Sequence, residues 1–213
     1  MESRALVAVL PTLHSYHEDP DFKHYSYGAL RKVVVVFGAD ILCGEVRPRD
    51  WKKTKQGREG GYCGPPEYRK CLIPLCQTTG IRFEPIDSYS DADVGIDKKV
   101  RTSPAERYLT KVELTLARRS EFGVNALTDP ALVLVIRAIH ELARENRPEL
   151  ESRLWDRRNE RICRSIAHVA QRNPSKRILV TIGLDHLPFI QDGLSAVPDL
   201  KLVSPFAAPR LRT

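Results

Sequence analysis

Residues 5–14 read Ala5-Leu6-Val7-Ala8-Val9-Leu10-Pro11-Thr12-Leu13-His14, and this run is the strongest indication of the fold class. A continuous apolar run of this length is typical of a buried strand in a parallel sheet. A second run of the same kind, Arg177-Ile178-Leu179-Val180-Thr181-Ile182-Gly183-Leu184-Asp185-His186, lies near the other end of the chain. Because ligands of open α/β sheets bind beyond the carboxyl ends of the strands, we expect His14 and His186 to meet at one site.

The segments between these runs predict alternating helices and strands. The valine run 33–36 has the composition of a strand. However, apolar residues also recur there at helical spacing, which predicts a helix instead; they are Leu30, Val33, Val34 and Phe37. Residues 41–46 and 81–87 are predicted to be the second and third strands, with a helix from Glu67 to about Thr79 between them.

The later part of the chain is dominated by helical patterns. Three helices are predicted, over about 104–119, 130–144 and 149–171, and they form a helical insertion of about 104–172 between the third and last core strands. A last short strand is predicted over 200–203. The whole chain is therefore predicted to be a single α/β domain, residues 1–213, with three layers in which a mostly parallel central sheet is flanked by helices.

Composition limits the classes of partner and location. The formal net charge is +7, which favours an anionic partner, but much of the basic content alternates with acidic residues as on a solvated helix face. Since the chain also has no recognisable nucleic-acid motif, we do not expect it to bind nucleic acid. The apolar runs are far shorter than the ~20 residues that cross a bilayer, and the signature of a signal peptide is missing. We therefore expect a cytoplasmic protein without a membrane association, and five free cysteines.

Polar side chains follow the predicted strands where each strand ends. They are His14, Glu45, Asp87 and His186, with Asp185 beside the last. Imidazole and carboxylate groups together suit a divalent metal ion that activates water, and they equally suit general acid–base catalysis without a metal. We predict His14, Glu45 and His186 as catalytic groups or metal ligands. Asp185 is predicted to be a further catalytic or orienting carboxylate, and Asp87 to orient or bind the substrate.

Two loops are predicted to approach the same site. His17 lies in the polar segment after the first strand and could reach the crevice as a substrate-binding residue. Residues 47–64 are basic and then glycine-rich, and we expect them to form a loop over the crevice in which Arg47 binds a carboxylate or phosphate group. A solvated surface loop is the alternative interpretation.

These motifs resemble the superfamily that joins TraB/PrgY proteins, TIKI proteases, ChaN haem-binding lipoproteins and erythromycin esterases. That superfamily carries Gly-x-x-His at the ends of its first and last core strands, a glutamate at the second strand and an arginine-bearing helix. The last motif is complete in Gly183-Leu184-Asp185-His186, whereas Pro11 replaces glycine in the first. Glu45 stands where the family glutamate would stand, and Arg157-Arg158-Asn159-Glu160 resembles the arginine-bearing stretch.

The resemblance implies a hydrolase in which the histidines and the glutamate act, with metal dependence in the TIKI branch. Arg158 would then bind a substrate anion or stabilise the transition state. The expected substrate is a small molecule or a peptide, with an anionic group as one alternative. The competing hypothesis is a non-catalytic module that binds haem, a metal or an anionic small molecule in the same crevice.

Overall fold

A computed structural model describes residues 4–55, 64–97 and 100–206 of the chain. Its centre is a sheet in which all pairings are parallel, with the strand order β3-β2-β4-β1-β5. The strands are β1 (Ala5–Thr12), β2 (Ile41–Gly44), β3 (Arg82–Pro85), β4 (Arg177–Gly183) and β5 (Leu200–Leu202). The four strands predicted first and the last short strand are therefore all present, and the α/β class is confirmed.

Helices cover both faces of this sheet. They are α1 (Tyr27–Phe37), α2 (Pro48–Lys55), α3 (Ile73–Thr79), α4 (Asp91–Asp97), α5 (Pro104–Ala117), α6 (Pro130–Asn146), α7 (Pro148–Glu151), α8 (Arg157–Gln171) and α9 (Leu187–Ser195). Single π-helical turns, Tyr68–Leu72 and Ser152–Asp156, precede α3 and α8. The predicted long helix 149–171 is therefore interrupted by a π-turn, a feature that is frequent at functional sites.

Alternate residues of the strands enter two separate apolar cores. In β1, Ala8 and Leu10 pack on the side of α1 and α3, whereas Val7 and Val9 pack on the side of α8 and α9. The strands β1, β2 and β4 are buried on both faces, which explains why the sequence of each is a continuous apolar run. The outer strands β3 and β5 each have an exposed residue, Arg82 and Lys201. The layers are helix, sheet and helix, as the sequence predicts.

The ambiguous valine run is helical. Its four residues at helical spacing are the buried residues of α1. The side chain of Ser26 accepts a hydrogen bond from the backbone of Ala29 at the start of the helix, and Gly38 ends it in the left-handed conformation, with φ of 67°. The strand alternative is therefore wrong for this segment.

The basic segment after β2 differs from the prediction. Residues 48–55 form α2 instead of a loop, because Pro48 is compatible with the first helical position and the carboxylate of Asp50 accepts a hydrogen bond from Arg47 Nε at 2.5 Å. Residues 56–63 lie outside the described residues, and this segment contains Arg58, Cys63 and the glycines 57, 60 and 61 of the predicted loop.

Two further expectations from the sequence concern the cysteines and the lack of a membrane-spanning helix. The four described cysteines are free thiols, and they are Cys43, Cys71, Cys76 and Cys163. Within the described ranges, no helix is both long enough and apolar enough to cross a bilayer.

Candidate functional site

The strand order brings the predicted polar residues together. β4 lies between β1 and β2, so the end of β4 is adjacent to the ends of both neighbouring strands. His14 follows β1, Glu45 follows β2, and Gly183 is the last residue of β4. The His14 and Glu45 side chains consequently face each other across Gly183, with 3.9 Å between His14 Nε2 and Glu45 Oε2.

His14 is held in place by a buried carboxylate. Its Nδ1 lies 2.9 Å from Oε1 of Glu67, which is fully buried, whereas the His14 side chain is 41% exposed. The backbone of His14 has φ of 51°, in the left-handed region, where residues other than glycine are strained. Burial opposes protonation, but the hydrogen bond with Glu67 and the charges of Glu45, Glu67 and Asp185 outweigh it and raise the pKa of His14 to about 9. His14 is therefore an imidazolium at neutral pH.

Gly183 leaves the space that the His14 ring needs. A Cβ atom at this position would lie 2.6 Å from His14 Nε2 and 3.2 Å from Glu45 Oε2. The Gly183 N–H donates a 2.7 Å hydrogen bond to the same Glu45 oxygen. The glycine of this Gly-x-x-His motif thus has a steric reason, because any side chain would displace the imidazole of the neighbouring strand.

Glu45 is paired with Arg158 in the buried part of the site. Arg158 Nη2 donates to Glu45 Oε1 at 2.6 Å, and Arg158 Nε donates to Asp87 Oδ1 at 2.9 Å. Burial would raise the pKa of Glu45, but the charge of Arg158, the neighbouring histidines and the hydrogen bond from Gly183 together outweigh burial and lower the pKa to about 2. The guanidinium also lies 4.2 Å from the centre of the Tyr89 ring. Arg158 thus connects the ends of β2 and β3, and its guanidinium stabilises the charged form of Glu45.

His186 lies beside Arg158 in this buried part of the site and is 3% exposed. Its Nε2 is 3.2 Å from Arg158 Nη1, and its Nδ1 is 2.6 Å from Asn159 Oδ1. The ring stacks on Trp155 with 4.1 Å between centroids. Burial and the neighbouring Arg158 charge lower the pKa of His186 well below its ordinary value. The two histidines are therefore unequal: His14 is charged and half-exposed, whereas His186 is neutral and buried.

Tyr68 joins the two strands that carry Glu45 and Gly183. Its hydroxyl accepts a hydrogen bond from the Glu45 N–H and donates one to the Thr181 carbonyl, each at 2.8 Å. Tyr68 is fully buried and directly follows Glu67 in the chain. Two consecutive residues thus act on the site, since Glu67 holds the His14 ring and Tyr68 holds the backbone of Glu45.

Asp185 is paired with a carboxyl group from the helical insertion. Asp185 is exposed, and Glu113 of α5 is buried beside it. Burial, the charge of Asp185 and a hydrogen bond to its side chain raise the pKa of Glu113 to about 9. Glu113 therefore retains its proton at neutral pH and donates it to the Asp185 carboxylate.

Two predicted substrate-binding residues, His17 and Arg47, bond to groups outside the site formed by His14, Glu45 and His186. His17 is 3% exposed, and both ring nitrogens bond to the backbone: Nδ1–H donates to the Tyr25 carbonyl at 2.7 Å, and Nε2 accepts from the Leu13 N–H at 3.0 Å. Arg47 binds Asp50 and Asp91 between α2 and α4. Both side chains stabilise local structure, whereas Asp87, Asp185 and Arg158 join the site.

Several residues of the site carry no signal in the sequence. They are Glu67, Tyr68, Glu113 and Trp155. Glu67 and Glu113 resemble ordinary helical acids, and their roles depend on the approach of elements that are distant in the chain. Asn159 could have been found only from its place in the arginine-bearing stretch.

The three predicted metal ligands do not fit a metal ion in this arrangement. The Arg158 guanidinium contacts both His186 and Glu45: its Nη1 lies 3.2 Å from His186 Nε2 and its Nη2 donates to Glu45 Oε1, so these two candidate ligand atoms already have a cation as their partner. His14 Nδ1 is bonded to Glu67. Among residues 4–55, 64–97 and 100–206, no group of three or more His, Cys, Asp and Glu side chains is arranged to hold a metal ion. In this arrangement the positive charge beside Glu45 comes from the guanidinium of Arg158, which suits the metal-free alternative.

No family model, curated protein or solved structure matches the chain.

Proposed function

We propose that the protein is a hydrolase and that His14 transfers the proton that its reaction requires. The observation that carries this proposal is the His14–Glu67 pair. A half-exposed imidazole is fixed through Nδ1 by a fully buried carboxylate, so that Nε2 faces the strand ends. The strained backbone at His14 supports the same proposal, because strain of this kind is frequent where a side chain must be held for chemistry.

The charge state of His14 determines its direction of proton transfer. With a pKa of about 9, the ring enters the reaction as an imidazolium and donates from Nε2 to the leaving oxygen or nitrogen of the substrate. Asp185 supplies an exposed carboxylate near His14, which can accept a proton from the attacking water. The water oxygen adds to the substrate carbonyl carbon as its proton passes to Asp185, which gives a tetrahedral intermediate. The carbonyl re-forms as the bond to the leaving group breaks and that group takes the proton of His14.

The buried charges maintain this state. Glu45, held by Arg158 and by the Gly183 N–H, stays ionised and attracts the positive charge of His14. Because Arg158 is bound to Glu45 and Asp87, it stabilises the site from within and has little capacity left for a substrate anion. We therefore propose a neutral ester or amide, in a small molecule or a peptide, as the substrate.

The test is a hydrolysis screen with a matched pair of variants. Wild type, His14→Asn and His168→Asn are assayed on aryl esters, phosphate esters and a peptide library, each with and without a chelator. His168 is an exposed histidine of α8 outside the site. We expect wild type to hydrolyse an acyl substrate in both conditions, His168→Asn to match it, and His14→Asn to lose ~10²–10⁴-fold, the usual contribution of a general acid.

Two results would contradict the proposal. One is that wild type hydrolyses none of the acyl substrates. The other is that His14→Asn and His168→Asn retain equal activity while circular dichroism shows both to be folded. Loss of wild-type activity in the chelator would refute the metal-free part of the mechanism.

A further inference from the structure

The two ring nitrogens of His186 have different partners, and these partners assign the residue a role. We propose that His186 is a positioning residue rather than a proton-transfer group: Asn159 holds it as the neutral Nδ1–H tautomer, and its Nε2 lone pair orients Arg158. The sequence motif instead predicts a catalytic His186. The consequence for hydrolysis depends on the proposed function, but the tautomer itself does not.

The assignment begins with the guanidinium of Arg158. An arginine side chain has five N–H donors and no acceptor, so an atom 3.2 Å from Nη1 can bond to it only by accepting. Nε2 of His186 must therefore carry a lone pair. A histidine with a free lone pair on Nε2 is neutral, and its single proton is on Nδ1.

This proton position fixes the orientation of the Asn159 amide. The Nδ1–H of His186 needs an acceptor at 2.6 Å, and Asn159 Oδ1 is placed there. If the amide were rotated, its NH₂ group would have to face a lone pair on Nδ1, and the proton would then lie on Nε2 against an N–H of Arg158. Two opposed donors are unfavourable, so the network admits one arrangement.

The position of Asn159 shows that this hydrogen bond is maintained at a cost. Asn159 is 5% exposed, and its Nδ2 has no hydrogen-bond partner among the described residues. An unpaired buried donor costs about 1–3 kcal/mol. The buried oxygen of the amide is thus the part of Asn159 that the site uses.

Aromatic stacking fixes the plane of the His186 ring. Trp155 lies between two imidazoles, 4.1 Å from His186 with 14° between planes and 4.0 Å from His140 with 17° between planes. His140 is held in turn by Glu151, with 2.6 Å between Nδ1 and Oε1. Because this stack covers one face of His186 and the two nitrogens are occupied, the ring has no free edge from which it could exchange a proton with a substrate.

The result is a series of contacts that ends at the proposed proton donor. Asn159 fixes His186, His186 and Asp87 orient Arg158, and Arg158 holds Glu45 opposite His14. Each contact is between buried polar groups. His186 therefore acts on the reaction only through Arg158.

The tautomer is tested by nitrogen NMR on the wild-type protein. In a sample with ¹⁵N-labelled histidine, His186 is expected to show a protonated Nδ1 and an unprotonated Nε2 throughout pH 5.5–8, with no titration. In Asn159→Leu, which removes the acceptor, the Nδ1–H signal is expected to shift or to exchange faster with water. A protonated Nε2, or a titration of His186 in this pH range, would overturn the inference. This measurement requires no substrate and is decisive even if the protein hydrolyses none.

The role in hydrolysis is tested by two substitutions with different hydrogen-bonding capacity. His186→Gln retains an oxygen that can accept from Arg158 but cannot transfer a proton, whereas His186→Leu does neither. We expect His186→Gln to retain at least about a tenth of wild-type kcat and His186→Leu to lose ~10²-fold or more in kcat. In His14→Gln, kcat should fall by ~10²–10⁴-fold, because this variant lacks the general acid. Equal losses in His186→Gln and His186→Leu, with both variants folded, would show that His186 transfers a proton. If His186→Gln does not fold, the NMR result on wild type decides.

Discussion

Replacement of Arg158 by glutamine should destabilise the protein strongly, because it leaves buried anions without their cation. The Arg158 side chain is 11% exposed and donates to Glu45, Asp87 and His186. Glutamine has a shorter side chain and no charge, so it can replace at most one of these bonds. Glu45, which is 6% exposed, would then keep its charge and lose its closest cation, while the Gly183 N–H still donates to it.

The magnitude follows from the burial of the pair. Removal of one partner from a buried ion pair costs about 3–5 kcal/mol, which is a large part of the ~5–15 kcal/mol by which a domain is stable. The entropy of unfolding is ~2.1 cal/mol/K per residue, or ~0.45 kcal/mol/K for a chain of this length. The expected decrease in Tm is therefore about 7–11 °C at pH 7.

The pH dependence has a defined sign. The native pKa of Glu45 is lowered from 4.5 to about 2, so its pairing with Arg158 contributes stability above pH 4.5 and loses this contribution as the pH falls from 4.5 toward 2. The difference in stability between wild type and Arg158→Gln should therefore be largest above pH 4.5. It should decrease in more acidic solution, where protonation of Glu45 removes the unpaired charge.

The assay is urea unfolding and calorimetry of wild type, Arg158→Gln, Glu45→Gln and the double variant, over pH 3–8. Arg161→Gln is the matched control, since Arg161 is an exposed arginine of the same helix, and it should change stability by less than about 0.5 kcal/mol. The double variant should be more stable than the sum of the single changes predicts, by about 2 kcal/mol or more, because it removes both charges. A loss below about 1 kcal/mol in Arg158→Gln, or additivity within about 0.5 kcal/mol, would refute this account of the buried pair.

Three further changes test the surroundings of His14. Gly183→Ala should abolish hydrolysis while the protein stays folded, since the new Cβ would lie 2.6 Å from His14 Nε2; kinetics and circular dichroism measure this. Glu67→Gln should lower the pKa of His14 from about 9 toward 6.5, measured by NMR titration, and should reduce the stability that His14 contributes below pH 6.5 and loses as the pH rises through 9. Tyr68→Phe should cost about 1–3 kcal/mol in urea unfolding, because it leaves the Glu45 N–H unpaired in the core.

The glycine and tyrosine changes each have a control elsewhere in the chain. Gly95→Ala introduces a Cβ with no heavy atom within 4 Å, and it should leave activity unaltered. Tyr108→Phe removes the hydroxyl of a tyrosine that is 68% exposed, and it should alter stability by less than about 0.5 kcal/mol. Full activity in Gly183→Ala, an unshifted His14 titration in Glu67→Gln, or equal stability of the two tyrosine variants would contradict the corresponding argument.

All five strands, most of the helices and the sheet edge that carries the candidate residues can be predicted from the sequence, whereas the helix at 48–55 cannot. Local patterns suffice for the strands and most of the helices, because a strand buried on both faces must be continuously apolar and a helix packed on one face must repeat its apolar residues at helical spacing. The helix at residues 27–37 follows from this rule. The positions of His14, Glu45 and His186 follow too, because parallel strands present their carboxyl ends at one edge.

Which of these residues face one another, and with what charge, depends on the three-dimensional arrangement of the strands and helices. The placement of β4 between β1 and β2 sets His14 opposite Glu45, and no local pattern encodes strand order. Protonation depends on burial and on neighbours from distant segments. Glu67 raises the pKa of His14, whereas burial and Arg158 lower the pKa of His186. Two histidines with the same place in a sequence motif thus acquire opposite properties, because one is half-exposed beside a carboxylate and the other is buried beside a guanidinium.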